Sequence, residues 1–153
     1  MTKALPIKAL EIARFISSGL GNPWYASNAI SDLEGSYIEV FEKAVAEILG
    51  APYVLALSSG TACLHTALLA LGIGPSDEVI VSPYTWPQTV SPILFVGAVP
   101  VFADIDPVSL TLSPSSVRKS ITEKTKAVIV VHIFGEVADL DGLKLFAMPM
   151  VCF

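Results

Sequence analysis

A short polar segment, Ser58–Ala62, carries residue types that bind phosphate. It stands between an apolar run that predicts a strand and a pattern that predicts a helix. A helix start offers free backbone N–H groups and the positive end of the helix dipole, and Gly60 lets a ligand approach closely. The spacing is neither that of a Walker A loop nor GxGxxG. Two interpretations stay open: a phosphate cradle, and an ordinary serine cap with a glycine at the helix entry.

An aromatic loop, Pro83–Thr89, follows the next predicted strand. In open α/β folds, ligands bind outside the carboxyl ends of the parallel strands, which is where such loops lie. An exposed Trp86 could stack there on a planar ligand and add about 0.5–1.5 kcal/mol beyond its burial. The alternative is a tryptophan packed beneath its own loop.

Two carboxylates and an imidazole are further candidates. Asp104 and Asp106 end a predicted strand, and a spacing of two places their side chains on one face. Such a pair suits metal binding or proton transfer, but the aspartate–proline step that follows favours turn chemistry. His132 ends another predicted strand, where a lone histidine is usually structural yet can face a ligand. Cys63 and Cys152 have no metal-binding spacing, so no metal site is predicted.

Strand and helix patterns alternate along the chain and position these candidates. This order is typical of βαβ units with right-handed crossovers, and it predicts a mostly parallel sheet flanked by helices. The predicted strands cover residues 53–57, 78–82, 99–104, 126–134 and 149–153, and the predicted helices cover 7–17, 36–49, 60–71, 89–96 and 113–121.

Composition excludes several classes of protein. The 153 residues are 53% hydrophobic and carry a formal charge of −5, which argues against a disordered chain and against a nucleic-acid binder. No apolar run reaches the ~18 residues of a membrane span, and no secretory signal is recognisable. We therefore expect a cytoplasmic α/β domain without a membrane segment. A mean hydropathy of +0.67 indicates either a sheet buried on both faces or apolar surface that awaits a partner.

Several motifs in order resemble one family closely. The runs SSGTACLHTALLALGIGPSDEVIVSPYTWPQTV, GAVPVFADIDP and TEKTKAVIVVHIFGEVADLDGL, with YIEVFEKAVAEILGAPYVLAL before them, are similar to the DegT/DnrJ/EryC1/StrS aminotransferases over roughly residues 36–143. The resemblance implies the large domain of fold type I, pyridoxal phosphate as cofactor, and amine transfer from an amino acid to a nucleotide-linked keto sugar in polysaccharide or secondary-metabolite biosynthesis. For the full-length enzyme it implies a homodimer.

The resemblance also implies roles for individual residues. Gly60, Thr61 and Ala62 would hold the cofactor phosphate through backbone N–H groups and the threonine hydroxyl. Trp86 would stack on the pyridine ring. His132 would line the cofactor side of the sheet without performing the chemistry.

Two expected groups have no counterpart in the sequence. The family places an Asp beneath the pyridine nitrogen and a Schiff-base Lys further on, and none of the seven lysines lies in such a context. We therefore predict no catalytic residue here, and a division into an N-terminal segment, 1–35, and an incomplete cofactor-binding large domain, 36–153, without the small C-terminal domain. The alternative to an enzyme part is a non-catalytic truncated fragment that binds a phosphate ligand weakly or associates with a full-length subunit. A sugar dehydratase on the same scaffold also stays open.

Overall fold

The computed structural model describes residues 36–146 and 149–152. The chain divides into two compact units, Met1–Ala56 and Leu57–Phe153.

The first unit contains helix α1, Ser36–Leu49, over the predicted residues. The helix ends where Gly50 adopts a φ of +64°, a conformation that glycine enters without steric cost. The carboxylate of Glu42 accepts the Ala56 N–H at 2.8 Å and ties the following segment to the helix. The predicted helix over residues 7–17 lies outside the described residues.

The second unit contains a four-stranded sheet and its covering helices. The strands are β1 (Glu78–Val81), β2 (Val99–Phe102), β3 (Thr125–Val130) and β4 (Met150–Cys152). The helices are α2 (Gly60–Ala70), α3 (Pro87–Phe95), α4 (Pro114–Ser120) and α5 (Leu140–Lys144), and a 3-10 turn covers Ile133–Gly135.

The sheet is parallel throughout, as the alternation of elements predicts. Its order is β2-β1-β3-β4, and each neighbouring pair runs in the same direction. The connection from β2 to β3 therefore crosses over β1.

The core has two layers because the central strands are apolar on both faces. One face carries Val79, Val81 and Ile129, which pack with residues of α2 and α3. The other carries Ile80 and Val128, which pack with residues of α4, α5 and the loops beside them. The period of two along each strand thus places apolar side chains alternately in the two layers.

Three predicted elements differ in the structure. The strand predicted over residues 126–134 ends at Val130, and a 3-10 turn follows over Ile133–Gly135. Residues 53–57 form no strand, because a strand requires a hydrogen-bonded neighbour and this segment pairs with none of the described strands. Helix α3 begins at Pro87 rather than at residue 89, since a proline suits the first helical position. Pro92 consequently lies inside the helix, where it is buried.

The adjacent residues Leu68 and Leu69 test the core assignment. Leu68 is fully buried in α2, whereas Leu69 is 57% exposed. We expect Leu68→Ala to lower the free energy of unfolding by about 2–5 kcal/mol, because it leaves a cavity against the sheet. Leu69→Ala, the matched control, should change it by no more than about 0.5 kcal/mol. Urea unfolding followed by circular dichroism measures both, and equal losses would contradict the layer assignment.

Candidate functional site

The carboxyl ends of β1 and β3 form a topological switch point. The chain leaves β1 towards α3, which packs on one face of the sheet, and leaves β3 towards α5, which packs on the other. Because the two neighbouring strands send their connections to opposite faces, a crevice opens between their ends. The loops that carry Trp86 and His132 border this crevice.

Helix α2 begins with backbone donors that the helix itself leaves unused. The Ser59 carbonyl accepts the Cys63 N–H at 3.0 Å, and the Ser59 hydroxyl accepts the Ala62 N–H at 3.2 Å. The N–H groups of Gly60 and Thr61 come before that of Cys63, the first N–H to donate within the helix, so the helix offers them no acceptor. No acidic residue lies in the first turn of α2, so no carboxylate opposes an anion at the positive end of the dipole. This donor set fits a phosphate group.

Helix α2 lies beside α3, and both pack on the same face of the sheet. The ring of His65 meets that of Phe95 edge-on at 5.7 Å between centroids, and this contact joins the two helices. Both helices run back towards the amino ends of the strands, so both begin at the carboxyl edge of the sheet.

Trp86 stands directly before α3 with its side chain 75% exposed. The alternative of a tryptophan packed beneath its loop is therefore wrong. The backbone around it is held in place: the Tyr84 N–H donates to the Ser82 hydroxyl at 3.0 Å, and the Thr89 N–H donates to the Trp86 carbonyl at 2.9 Å. The hydroxyls of Thr85 and the buried Thr89 share a hydrogen bond of 3.0 Å. An exposed indole on a fixed backbone is suited to stack on a flat ligand.

His132 follows β3 and is half-buried. Its Nδ1 accepts the N–H of Ala138 at 3.2 Å, so the side chain closes the loop that it begins. Within that loop Phe134 adopts a φ of 53° and is 84% exposed. Its ring meets that of Tyr84 edge-on at 6.4 Å between centroids and joins the loops after β1 and β3. Tyr84 and Phe134 could not be predicted as a pair, because no spacing signal in the sequence links two residues fifty positions apart.

Asp104 and Asp106 serve the turn after β2. One oxygen of Asp106 accepts the N–H groups of Val108 and Ser109 at 2.9 and 3.0 Å. The bond from Ser109, followed by that from Val108, lowers the pKa of Asp106 below its ordinary value. The Asp104 carboxylate accepts the N–H of Ile105 at 2.8 Å. Turn chemistry is thus confirmed, and the described residues contain no cluster of three or more potential metal ligands.

Comparison with known proteins identifies the family. The sequence model of the DegT/DnrJ/EryC1/StrS aminotransferase family matches residues 24–149. The chain belongs to this family. It is 50% identical over 115 residues to an L-glutamine:2-deoxy-scyllo-inosose aminotransferase of Streptomyces fradiae, covering 72% of this chain and 27% of the relative. It is 39% identical over 140 residues to the spore coat polysaccharide biosynthesis protein SpsC of Bacillus subtilis, covering 92% of this chain and 34% of SpsC.

The fold agrees with solved structures of pyridoxal-phosphate-dependent aminotransferases of fold type I. The crystal structure of NtdA from Bacillus subtilis, with bound cofactor PMP, superposes with a TM-score of 0.77 at 28% identity and covers 97% of this chain and 33% of NtdA. The chain spans about a quarter to a third of the curated relatives named above. Within the described residues, every helix falls short of the length and apolar character that a membrane crossing requires.

The turn role of Asp106 predicts a pH-dependent stability. Its ordinary pKa is 3.8 and its native pKa is lower, so the ionised carboxylate stabilises the fold above pH 3.8. That contribution is lost as the pH falls through the native pKa. We expect Asp106→Ala to lower the Tm at pH 7, and the difference from the parent chain to narrow below pH 3.8.

Two further variants serve as comparisons in the measurement of Tm against pH. Asp106→Asn keeps an oxygen acceptor, so its Tm at pH 7 should fall less than that of Asp106→Ala. Asp141→Ala removes an exposed carboxylate whose ion pair with Lys144 is 3.5 Å long, and it should leave the Tm nearly unchanged. A parent and an Asp106→Ala variant with the same Tm at pH 7 would contradict the turn assignment.

Proposed function

We propose that the second unit is the cofactor-binding part of a pyridoxal-phosphate-dependent aminotransferase that acts on nucleotide-linked keto sugars. The observation that carries the proposal is the coincidence of a phosphate-type donor set at the start of α2 with an exposed indole before α3, on two helices that begin at the same edge of the sheet. Family membership supplies the cofactor class.

The phosphate would bind at the start of α2. The N–H groups of Gly60 and Thr61 and the Thr61 hydroxyl would donate to its oxygens, and the helix dipole would stabilise its charge. The Ala62 N–H now donates to the Ser59 hydroxyl, so it would reach the phosphate only after that hydroxyl rotates away. A dianion is a stronger acceptor than a hydroxyl, which favours this exchange.

The ring of the cofactor would stack on Trp86, and His132 would line the same crevice without taking part in bond making. Two contacts far apart on the cofactor, one at the phosphate and one at the ring, would fix its orientation. When bound, pyridoxal phosphate supplies an electron sink for the amine-transfer chemistry.

The described lysines of the second unit support a binding role rather than a covalent one. Lys124 and Lys126 lie at the amino end of β3, at the edge opposite the candidate site, and both are exposed. Lys119 lies in the last turn of α4 and Lys144 ends α5, and both helices run back towards that same edge. We propose that these 153 residues bind and orient the cofactor without forming a Schiff base and without turnover by themselves.

We include in the proposal a homodimer of the full-length enzyme, which exposed apolar surface supports, and an amino-acid amine donor, which family membership supports. Leu94 and Phe95 at the end of α3 are 59% and 63% exposed, and a partner subunit could cover these apolar side chains.

Titration with pyridoxal phosphate tests the stacking position. Trp86→Ala should weaken binding by about two- to tenfold, the loss expected for one aromatic contact, whereas Trp86→Phe should keep most of the affinity. Phe95→Ala, at the other end of the same helix, is the matched control and should bind as the parent does. Pyridoxal without the phosphate should bind more weakly than pyridoxal phosphate to all four chains. Equal affinity of the parent for both ligands would overturn the phosphate cradle.

Borohydride reduction tests the lysine proposal. The chain incubated with pyridoxal phosphate, reduced and mapped by peptide mass spectrometry should show low labelling spread over several exposed lysines. A single lysine labelled stoichiometrically, together with amine transfer to a nucleotide-linked keto sugar, would contradict the proposal.

A further inference from the structure

The loop between His132 and Ala138 is fastened by its own first side chain and reaches across to the loop that carries Trp86. We propose that His132 is a positioning residue for Trp86, acting through Phe134 and Tyr84 and not by contact with reacting atoms. The value of that position for cofactor binding rests on the function proposed above, but the positioning itself is independent of it.

The first step is the hydrogen bond of the imidazole. Nδ1 of His132 accepts the Ala138 N–H at 3.2 Å, so this nitrogen carries no proton. The neutral ring therefore holds its proton on Nε2. Ala138 is 3% exposed, so water does not readily replace the imidazole as acceptor for its amide. The bond fixes both the tautomer and the distance between the two ends of the loop.

The second step is the conformation inside the loop. Phe134 and Gly135 take φ values of 53° and 83°, two consecutive residues in the left-handed region. That region is disfavoured for phenylalanine and persists only where the surroundings impose it. The bonds from Gly135 N–H to the His132 carbonyl, at 3.1 Å, and from Glu136 N–H to the Ile133 carbonyl, at 2.9 Å, complete the turn.

The third step is the contact across the crevice. The strained backbone presents the Phe134 ring, which meets the Tyr84 ring at 6.4 Å with an interplanar angle of 73°. Tyr84 lies two residues before Trp86, whose own side chain is mostly exposed and gains little support from packing. The Phe134–Tyr84 contact therefore restrains the tryptophan loop from the side of the neighbouring strand.

Fluorescence of a single tryptophan tests the proposal. The sequence contains two tryptophans, so a Trp24→Phe chain reports from Trp86 alone. In this background His132→Asn keeps an oxygen acceptor at the place of Nδ1, whereas His132→Gln moves it to the place of Nε2. Phe134→Ala removes the ring contact, and Phe102→Ala, which removes another exposed phenylalanine at the end of β2, is the matched control.

We expect His132→Gln and Phe134→Ala to lower the anisotropy of Trp86 emission and to raise its quenching by acrylamide, without cofactor present. His132→Asn and Phe102→Ala should match the parent. Amide exchange at residue 138 should quicken about fivefold in His132→Gln, the effect of one lost hydrogen bond, and stay near the parent value in His132→Asn. Circular dichroism checks that each variant is folded. If a His132 variant does not fold, the result for Phe134→Ala alone tests the proposal.

Outcomes separate this proposal from the function. If His132→Asn and His132→Gln give the same Trp86 signals, or if Phe134→Ala leaves them unchanged, the positioning role is overturned. If the signals change as expected but the parent chain does not bind pyridoxal phosphate, the proposed function fails and the positioning role stands.

Discussion

A parallel sheet with apolar residues on both faces must be covered on both faces, and this constraint determines where the candidate site lies. Covering helices have to be supplied by the connections between strands, so those connections divide between the two faces. In this chain the division falls between β1 and β3. The crevice at their carboxyl ends is thus a consequence of burying the sheet, and it exists before any ligand is considered.

The chemistry at this edge depends on groups that regular secondary structure leaves free. A helix cannot satisfy its own first N–H groups, so the start of α2 offers Gly60 and Thr61 as donors. Trp86 is exposed because it stands before a helix that begins with proline, where the chain turns away from the sheet. Neither feature requires an unusual backbone, in contrast to the left-handed Phe134 on the opposite side of the crevice.

Local patterns were sufficient to predict most elements and the individual candidates. The continuous apolar runs in β1 and β3 predict strands buried on both faces. Serine before glycine predicts the start of α2. The segment 53–57 has the same apolar composition but forms no strand, because pairing is a property of two segments and composition reports on one. For the same reason the Tyr84–Phe134 contact could not be predicted, because it depends on which strands become neighbours. The bond from Ala138 to His132 depends instead on the conformation of the loop between them, which no spacing in the sequence indicates.

The order of the sheet also has a consequence for the handling of the protein. Among the described strands, β2 and β4 each have a neighbour on one side only, and β2 carries the exposed side chains of Val99 and Phe102. Edge strands with apolar side chains are templates on which a further strand can add, from the same chain or from another copy. An edge of this kind, as the described residues leave it, offers a route to self-association through backbone pairing, and protein concentration would then affect solubility.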